Sequence, residues 1–367
     1  MPTISIQATD TLFFRDGRPF SMGEETFAQG LFPPPPSVIY GALRSSFIAD
    51  QLESGHIQVD AIKESESLRI NGIHFKTVNL GDAGGSIWHS MPMDLIVPKI
   101  KKQDKANPLL LFDKPGISSS SLPKVLQSPT DEKTVEGHFL MNKREFVKYL
   151  NGEKDEFVIS KLSNFLNKEL KIGIGRDYNS HVADDGKLFR VIMNRPATSD
   201  NGNLTKLQFL INYSDLALKK EGWLNAGGER RVASFKAEEL YDVPLPKITQ
   251  PLCKIYLSTP AIFNDGWKPE KLLKDNGLTL IAAAIGKSQP IGGWDLDKWE
   301  PKPMVQTVSA GSVYFVQAEN IEAINAFAEK VHGKSISDNF NGMDYQKQGF
   351  GIAYIGNANI NQQKSEI

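Results

Sequence analysis

Cysteine is almost absent from this chain: Cys253 is the only one in 367 residues. A lone cysteine excludes an internal disulfide framework and any cysteine-based zinc site, and it suits a reducing compartment. Long apolar runs are missing too; none approaches the roughly 20 residues that a membrane-spanning helix needs. The start, "MPTISIQATD", lacks the basic and apolar regions of an export signal, which predicts a cytoplasmic protein. Net charge is nearly absent as well, at −1. A near-neutral chain offers no bulk attraction to a polyanion, so any nucleic-acid partner must be held by local patches. The six histidines, His56, His74, His89, His138, His181 and His332, fall at no metal-ligand spacing. No Gly-x-Ser-x-Gly elbow occurs, and Cys253 lies in an apolar strand pattern where a thiol is inert. No metal or other cofactor is expected.

What is present is an ordinary soluble composition, 40% hydrophobic and 23% charged, on a chain long enough for one large or two average domains. Basic residues gather between Lys219 and Lys236 (Lys219, Lys220, Arg230, Arg231, Lys236) and in "VPKIKKQDK". Each run is also what a solvated face looks like. The stretch "DTLFFRDGRPF" asks for more. Phe13 and Phe14 belong in a core, while Asp16 and Gly17 make a turn that holds Arg15 and Arg18 outward.

"TISIQAT" alternates as a half-buried strand does, and "PPPPSVIYGALRSSFIADQL" reads as a helix with a rigid approach and Ser37 as cap. Residues 68–97 read as strands, and 98–135 as an irregular insertion. "NKREFVKYLNG" and "EFVISKLSNFLNKEL" read as short helices, followed by strands up to "ERRVASFKA". "VPLPKITQP" is the linker candidate. Beyond it the order is βαββαβ, with "NIEAINAFAEKVHG" as its second helix. The first half reads as a more elaborate copy. The expectation is an α+β protein of two tandem ferredoxin-like domains, residues 1–245 (with the insertion at about 98–140) and 246–367.

Glycines stand beside arginines or aromatics in "GIGRDYNS", "NAGGERR", "PIGGWD" and "GFGIAYIG". Glycine lets backbone N–H groups approach phosphate oxygens, arginine pairs phosphates, and exposed aromatics stack on unpaired bases. Any one of these could be a tight turn. Together they favour single-stranded nucleic acid. "GFGIAYIG" lacks the following helix that a dinucleotide site requires.

These motifs, with "DTLFFRDGRPF", "PPPSVIYGALR", "LSTPAIFNDGW" and "AAAIGKSQPIGGWDL", occur in an order that resembles one family. It is the third subunit of the Cmr complex, the type III-B CRISPR effector, in the RAMP (repeat-associated mysterious protein) superfamily. The resemblance implies two ferredoxin-like, RRM-related units and a role without catalysis. It implies that the chain grips the 5′ tag of CRISPR RNA, docks on the large polymerase-like subunit and the first backbone subunit, and meets target RNA only indirectly. It implies RNA contacts at Ser37, Gly41 and Arg44 of the first-helix motif, and at Gly349, Phe350 and Gly351 of the glycine-rich loop. Gly227, Gly228, Arg230 and Arg231 of "GGERR", Arg176, and Arg15 and Arg18 complete the set. Two alternatives stay open: a metal-independent endoribonuclease acting on repeat RNA, with a histidine or lysine doing the acid–base work and His181 the first residue to test, and a scaffold without RNA contact.

Overall fold

The computed structural model describes residues 1–15, 27–81, 84–99, 104–116, 120–153, 156–177, 180, 182–200, 202–228, 231–295 and 300–358. The alternating start is a strand, β1 (Thr3–Ala8), followed by β2 (Phe27–Gln29) and helix α1 (Pro36–Glu53). Pro35 caps α1 and Pro36 opens it, so Ser37 stands inside the first turn and not at the expected cap. Proline there sacrifices no helical hydrogen bond and presets φ. Helix α2 (Gln58–Ser65) then leads into β3 (Arg69–Asn79) and β4 (Ser86–Ser90).

The segment expected to be irregular is largely built into the fold. After β5 (Leu95–Ile96), which falls in the stretch read as strands, it holds β6 (Lys105–Pro108), β7 (Leu110–Asp113) and β8 (Lys124–Gln127) before β9 (Phe139–Asn142). Strand β6 joins the main sheet between β5 and β10 (Phe157–Lys161). Helix α3 (Lys143–Asn151) has the predicted boundaries: the Asn142 side chain accepts from the Glu145 N–H, and Gly152 closes it at φ 79°. "EFVISKLSNFLNKEL" is not helical. Phe157 and Ile159 are buried while Val158 is exposed, a period of two that suits β10 and its pairing with β9. One 3₁₀ turn, Leu162–Asn164, separates it from β11 (Asn167–Arg176).

The first unit ends with β12 (Ala183–Arg195), β13 (Ala197–Asp200), β14 (Asn203–Ser214), β15 (Glu221–Asn225) and β16 (Val232–Glu238). Its sheet runs β15-β16-β1-β14-β3-β4-β9-β10-β6-β5, with β13 added on β14. Helix α1 seals one face, placing Leu43 and Phe47 against Ile4, Phe75, Phe209 and Phe235.

Residues 243–251, the linker candidate, carry no helix or strand, and Val243 and Ile248 within them are buried in the core. The second unit has β17 (Leu252–Leu257), α4 (Glu270–Asp275), β18 (Thr279–Ala284), β19 (Gln289–Asp295), β20 (Glu300–Thr307), β21 (Val313–Gln317), α5 (Ile321–Val331), β22 (Lys334–Ser335) and β23 (Ile352–Asn357). Its antiparallel sheet runs β18-β21-β17-β23-β22, and β19 and β20 form a separate hairpin. The protein is thus mixed α/β, with mostly antiparallel sheets and few helices.

The two units share a core. Phe146 and Tyr149 of the first pack with Tyr256, Phe315, Ile352 and Tyr354 of the second. Two histidines that are distant in sequence meet there: the His74 and His89 rings lie 4.9 Å apart, both buried. Among the described residues no third metal-ligating side chain joins them; the neighbouring rings are Tyr241, Tyr354 and Phe146.

Candidate nucleic-acid interface

The first-helix motif forms one continuous face. Ser37, Gly41 and Arg44 are spaced four and three apart, which puts them on the same side of α1, and each is partly exposed. A Cβ added at Gly41 would meet nothing within 4 Å, so the face is open. Arg44 is braced from below. Its Nε donates to Ser65 Oγ at 3.0 Å, and its guanidinium lies 5.5 Å from the Tyr40 ring centre and 4.0 Å from the Glu66 carboxylate. The first turn of α1 holds no acidic residue, so the positive end of the helix dipole there is uncompensated.

The glycine-rich loop lies beside this face, but its chemistry departs from the expected RNA contact. Phe350 is fully buried, edge-on to Tyr345, and cannot stack on a base. The N–H groups of Gly349, Phe350 and Gly351 donate to the carbonyls of Gln346, Tyr345 and Pro260. None of the three remains for a phosphate. Gly349 has φ +88°, and a Cβ there would lie 2.7 Å from Ile70. Glycine is needed at this position for close packing on β3. The loop also presents a partly exposed cation absent from the expected set, Lys347, whose Nζ donates to the Glu66 carbonyl at 3.2 Å.

The opening stretch and "GGERR" meet at the edge of the first sheet. Phe13 forms a bridge with Gly227, and the Gly228 N–H donates to the Phe13 carbonyl at 3.0 Å. Phe13 and Phe14 are buried anchors, as predicted, and Arg15 beyond them is exposed. Arg18, Arg230 and His181 lie outside the described residues. Arg231, named among the expected RNA contacts, is engaged within the protein. Its guanidinium is 3.1 Å from Asp10, which also holds Arg195 at 2.9 Å, and Arg195 in turn clamps Glu169. Slight burial opposes ionisation of Asp10, but the Thr11 N–H and the Arg195 guanidinium outweigh it and hold the carboxyl below its usual range.

The feature that sequence reasoning missed is the long β11–β12 hairpin. Its register sets Leu170 opposite Ile192, Ile172 opposite Arg190 and Ile174 opposite Leu188. Leu170, Ile172, Ile174 and Leu188 are 59%, 58%, 49% and 41% exposed, an aliphatic stripe along one face. Lys168 and Arg190 share that face by strand alternation, and Arg176 stands exposed at the end of β11. The opposite face is anchored, with Val191 and Met193 packed on Phe13. The alternation in "LKIGIG" was the available signal.

The family profile for a "CRISPR-associated protein (Cas_Cmr3)" matches residues 4–358. No curated protein matches the chain. A solved structure of the type III-B Cmr-beta complex bound to cognate target RNA contains a similar chain, with TM-score 0.52 at 16% identity over 96% of each chain. A second structure of that complex, bound to cognate target RNA and AMPPnP in state 1, gives TM-score 0.53 at 16% identity over 95% of this chain and 94% of that one. At such identities the likeness concerns the fold. The family profile spans nearly every described element, and on that ground the chain belongs to the Cas_Cmr3 family of CRISPR-associated proteins, components of the type III-B CRISPR effector.

Proposed function

We propose that this protein is a non-catalytic, cytoplasmic RNA-binding subunit of the Cmr effector that grips the 5′ tag of CRISPR RNA. On the same reading it docks on the large polymerase-like subunit and on the first backbone subunit. The observation that carries the proposal is the aliphatic stripe of the β11–β12 hairpin, bordered by Lys168, Arg190 and Arg176. Aliphatic side chains wedge between bases, and the adjoining cations neutralise phosphates. The proteins with a similar fold come from complexes bound to cognate target RNA, which favours RNA as the partner here.

Tandem ferredoxin-like units underlie this reading. With strands numbered within each unit, β16-β1-β14-β3 and β23-β17-β21-β18 both follow the order 4-1-3-2. Between β14 and β16 the first unit carries β15 in place of a second helix.

The test is binding of RNA with the true tag and with a scrambled tag, at two salt concentrations, by the protein alone and with its large-subunit partner. Tighter binding to the true tag, weakened by Arg44→Ala and Arg176→Ala, is the expected result. Equal affinity for both RNAs would reduce the role to a general clamp. RNA cutting by the purified protein in EDTA would overturn the non-catalytic assignment.

A further inference from the structure

We infer that Lys347 completes a single phosphate-binding site with Arg44 and Tyr40, built across the seam between the two units and floored by Gly41. The inference rests on the RNA-binding reading and deepens it. It says that one phosphate of the bound strand is held by both units at once.

Two cations from different units converge on one residue, Glu66. From α1, Arg44 reaches Ser65 Oγ and the Glu66 carboxylate. From the glycine-rich loop, Lys347 reaches the Glu66 carbonyl. The backbone of Lys347 is fixed on both sides. Its N–H donates to Asp344 Oδ1 at 3.0 Å, and its carbonyl accepts from the Ile70 N–H at 2.9 Å. The ammonium is therefore positioned by β3 of the first unit although it belongs to the second. Gly349, two residues on, makes the close approach to Ile70 that seats this loop.

Tyr40 supplies a neutral donor. Burial raises its hydroxyl pKa against the opposing pull of Arg44, and the Glu66 and Asp344 carboxylates raise it further, so the proton stays on. The site thus offers a forked guanidinium, a point-like ammonium and a hydroxyl, all suited to phosphate oxygens. Glu66 and Asp344 are its two opposing charges. Asp344 already accepts the Lys347 N–H, and the Glu66 carboxylate, 62% exposed and 4.0 Å from Arg44, is loosely held and can swing into solvent. The open space above Gly41 admits the strand.

The experiment uses the full chain with its large-subunit partner and a single-stranded RNA carrying the 5′ tag, titrated across a salt series. Proteins compared are the wild type, Arg44→Gln, Lys347→Gln, the double variant and Lys347→Arg, each checked for an unchanged thermal midpoint. Each Gln variant is expected to weaken binding several-fold and to lower the salt slope by about 0.7, the value of one phosphate on a single strand. The double variant is expected to lose less than the product of the two single losses, and Lys347→Arg to retain binding. An unchanged affinity and slope in Lys347→Gln, beside a loss in Arg44→Gln, would overturn the shared site while leaving the proposed function standing. Fully multiplicative losses would also overturn it, by showing two separate contacts. A wild type that fails to bind the RNA would instead remove the proposed function, and this site with it.

Discussion

Lys254 and Asp94 form a buried ion pair across the seam between the two units, with Nζ 3.6 Å from Oδ2 and the side chains 6% and 4% exposed. Tyr149 completes the arrangement. Its hydroxyl donates to the other Asp94 oxygen at 2.7 Å, and its ring lies 3.6 Å from the ammonium. Burial pulls the Lys254 pKa down, and Asp94 opposes that shift. A single substitution would strand the partner charge in the core. Lys254→Met is expected to destabilise the protein by roughly 3–5 kcal/mol, and Lys254→Met with Asp94→Asn by much less, because no unpaired charge remains. Urea unfolding measures both. A Lys254→Met loss below about 1 kcal/mol would show that the pair is solvated in solution.

The histidine pair makes the same seam sensitive to acid. Burial pushes His74 down to about 3 from 6.5. It also carries His89 well below its ordinary value, with His74 and Lys143 adding to the effect. Both rings are therefore neutral when folded. The unfolded chain binds more protons below pH 6.5, so stability is intact above that value and drains as pH falls toward the folded pKa. Within this window each histidine costs about 1.4 kcal/mol per pH unit. Unfolding free energies between pH 7 and pH 4 are expected to fall steeply in the wild type and with a shallower slope in His74→Phe and His89→Phe. An unchanged slope would place the acid sensitivity elsewhere, the half-buried His332 being the next candidate.

Much of the fold was legible because local chemistry agreed with the final structure. Asn142 and Gly152 bracket α3, and the alternation of β1 and the apolar run of β17 match strands that pair on both sides. The misreadings arose where tertiary partners decided. Residues 105–108 look irregular alone and become a strand only because β5 and β10 flank them. Phe350 sits between glycines and reads as a presented aromatic, yet the loop folds back so that Tyr345 covers it. Nothing in the sequence signals that Asp10, more than 200 residues away, stands beside Arg231. Ser37, Gly41 and Arg44 shared a face because helical spacing alone guarantees it. Lys347 was invisible, since its position depends on a contact between the two units.

Glycine at 227 is required by its neighbour more than by its turn. Its φ is +83°, and a Cβ would fall 2.6 Å from the Phe13 carbonyl oxygen and 2.7 Å from the Phe14 ring. Gly227→Ala is therefore expected to destabilise the protein by about 1–3 kcal/mol through backbone strain and to free the segment bearing Arg15. Hydrogen exchange at Gly228, whose N–H is bonded to Phe13, reports the opening directly. Unaltered protection there would mean that the hairpin shifts as a unit without releasing the strand.

The hairpin stripe separates folding from function most cleanly. Leu170 and Ile172 are more than half exposed, so removing their side chains sacrifices little buried area. Surface changes of this kind usually stay within about 0.5 kcal/mol. An exposed apolar stripe ordinarily marks a contact with something else. Leu170→Ser/Ile172→Ser is thus expected to leave the thermal midpoint nearly unchanged while weakening RNA binding by the assembled complex about tenfold, or about 1.4 kcal/mol. Val191→Ser is the internal control. It lies on the anchored face against Phe13 and Met193, so it should lower the midpoint first and affect RNA only through unfolding. If the exposed pair changes assembly with the other subunits and leaves RNA affinity intact, the stripe is a protein-docking surface and the wedge is wrong.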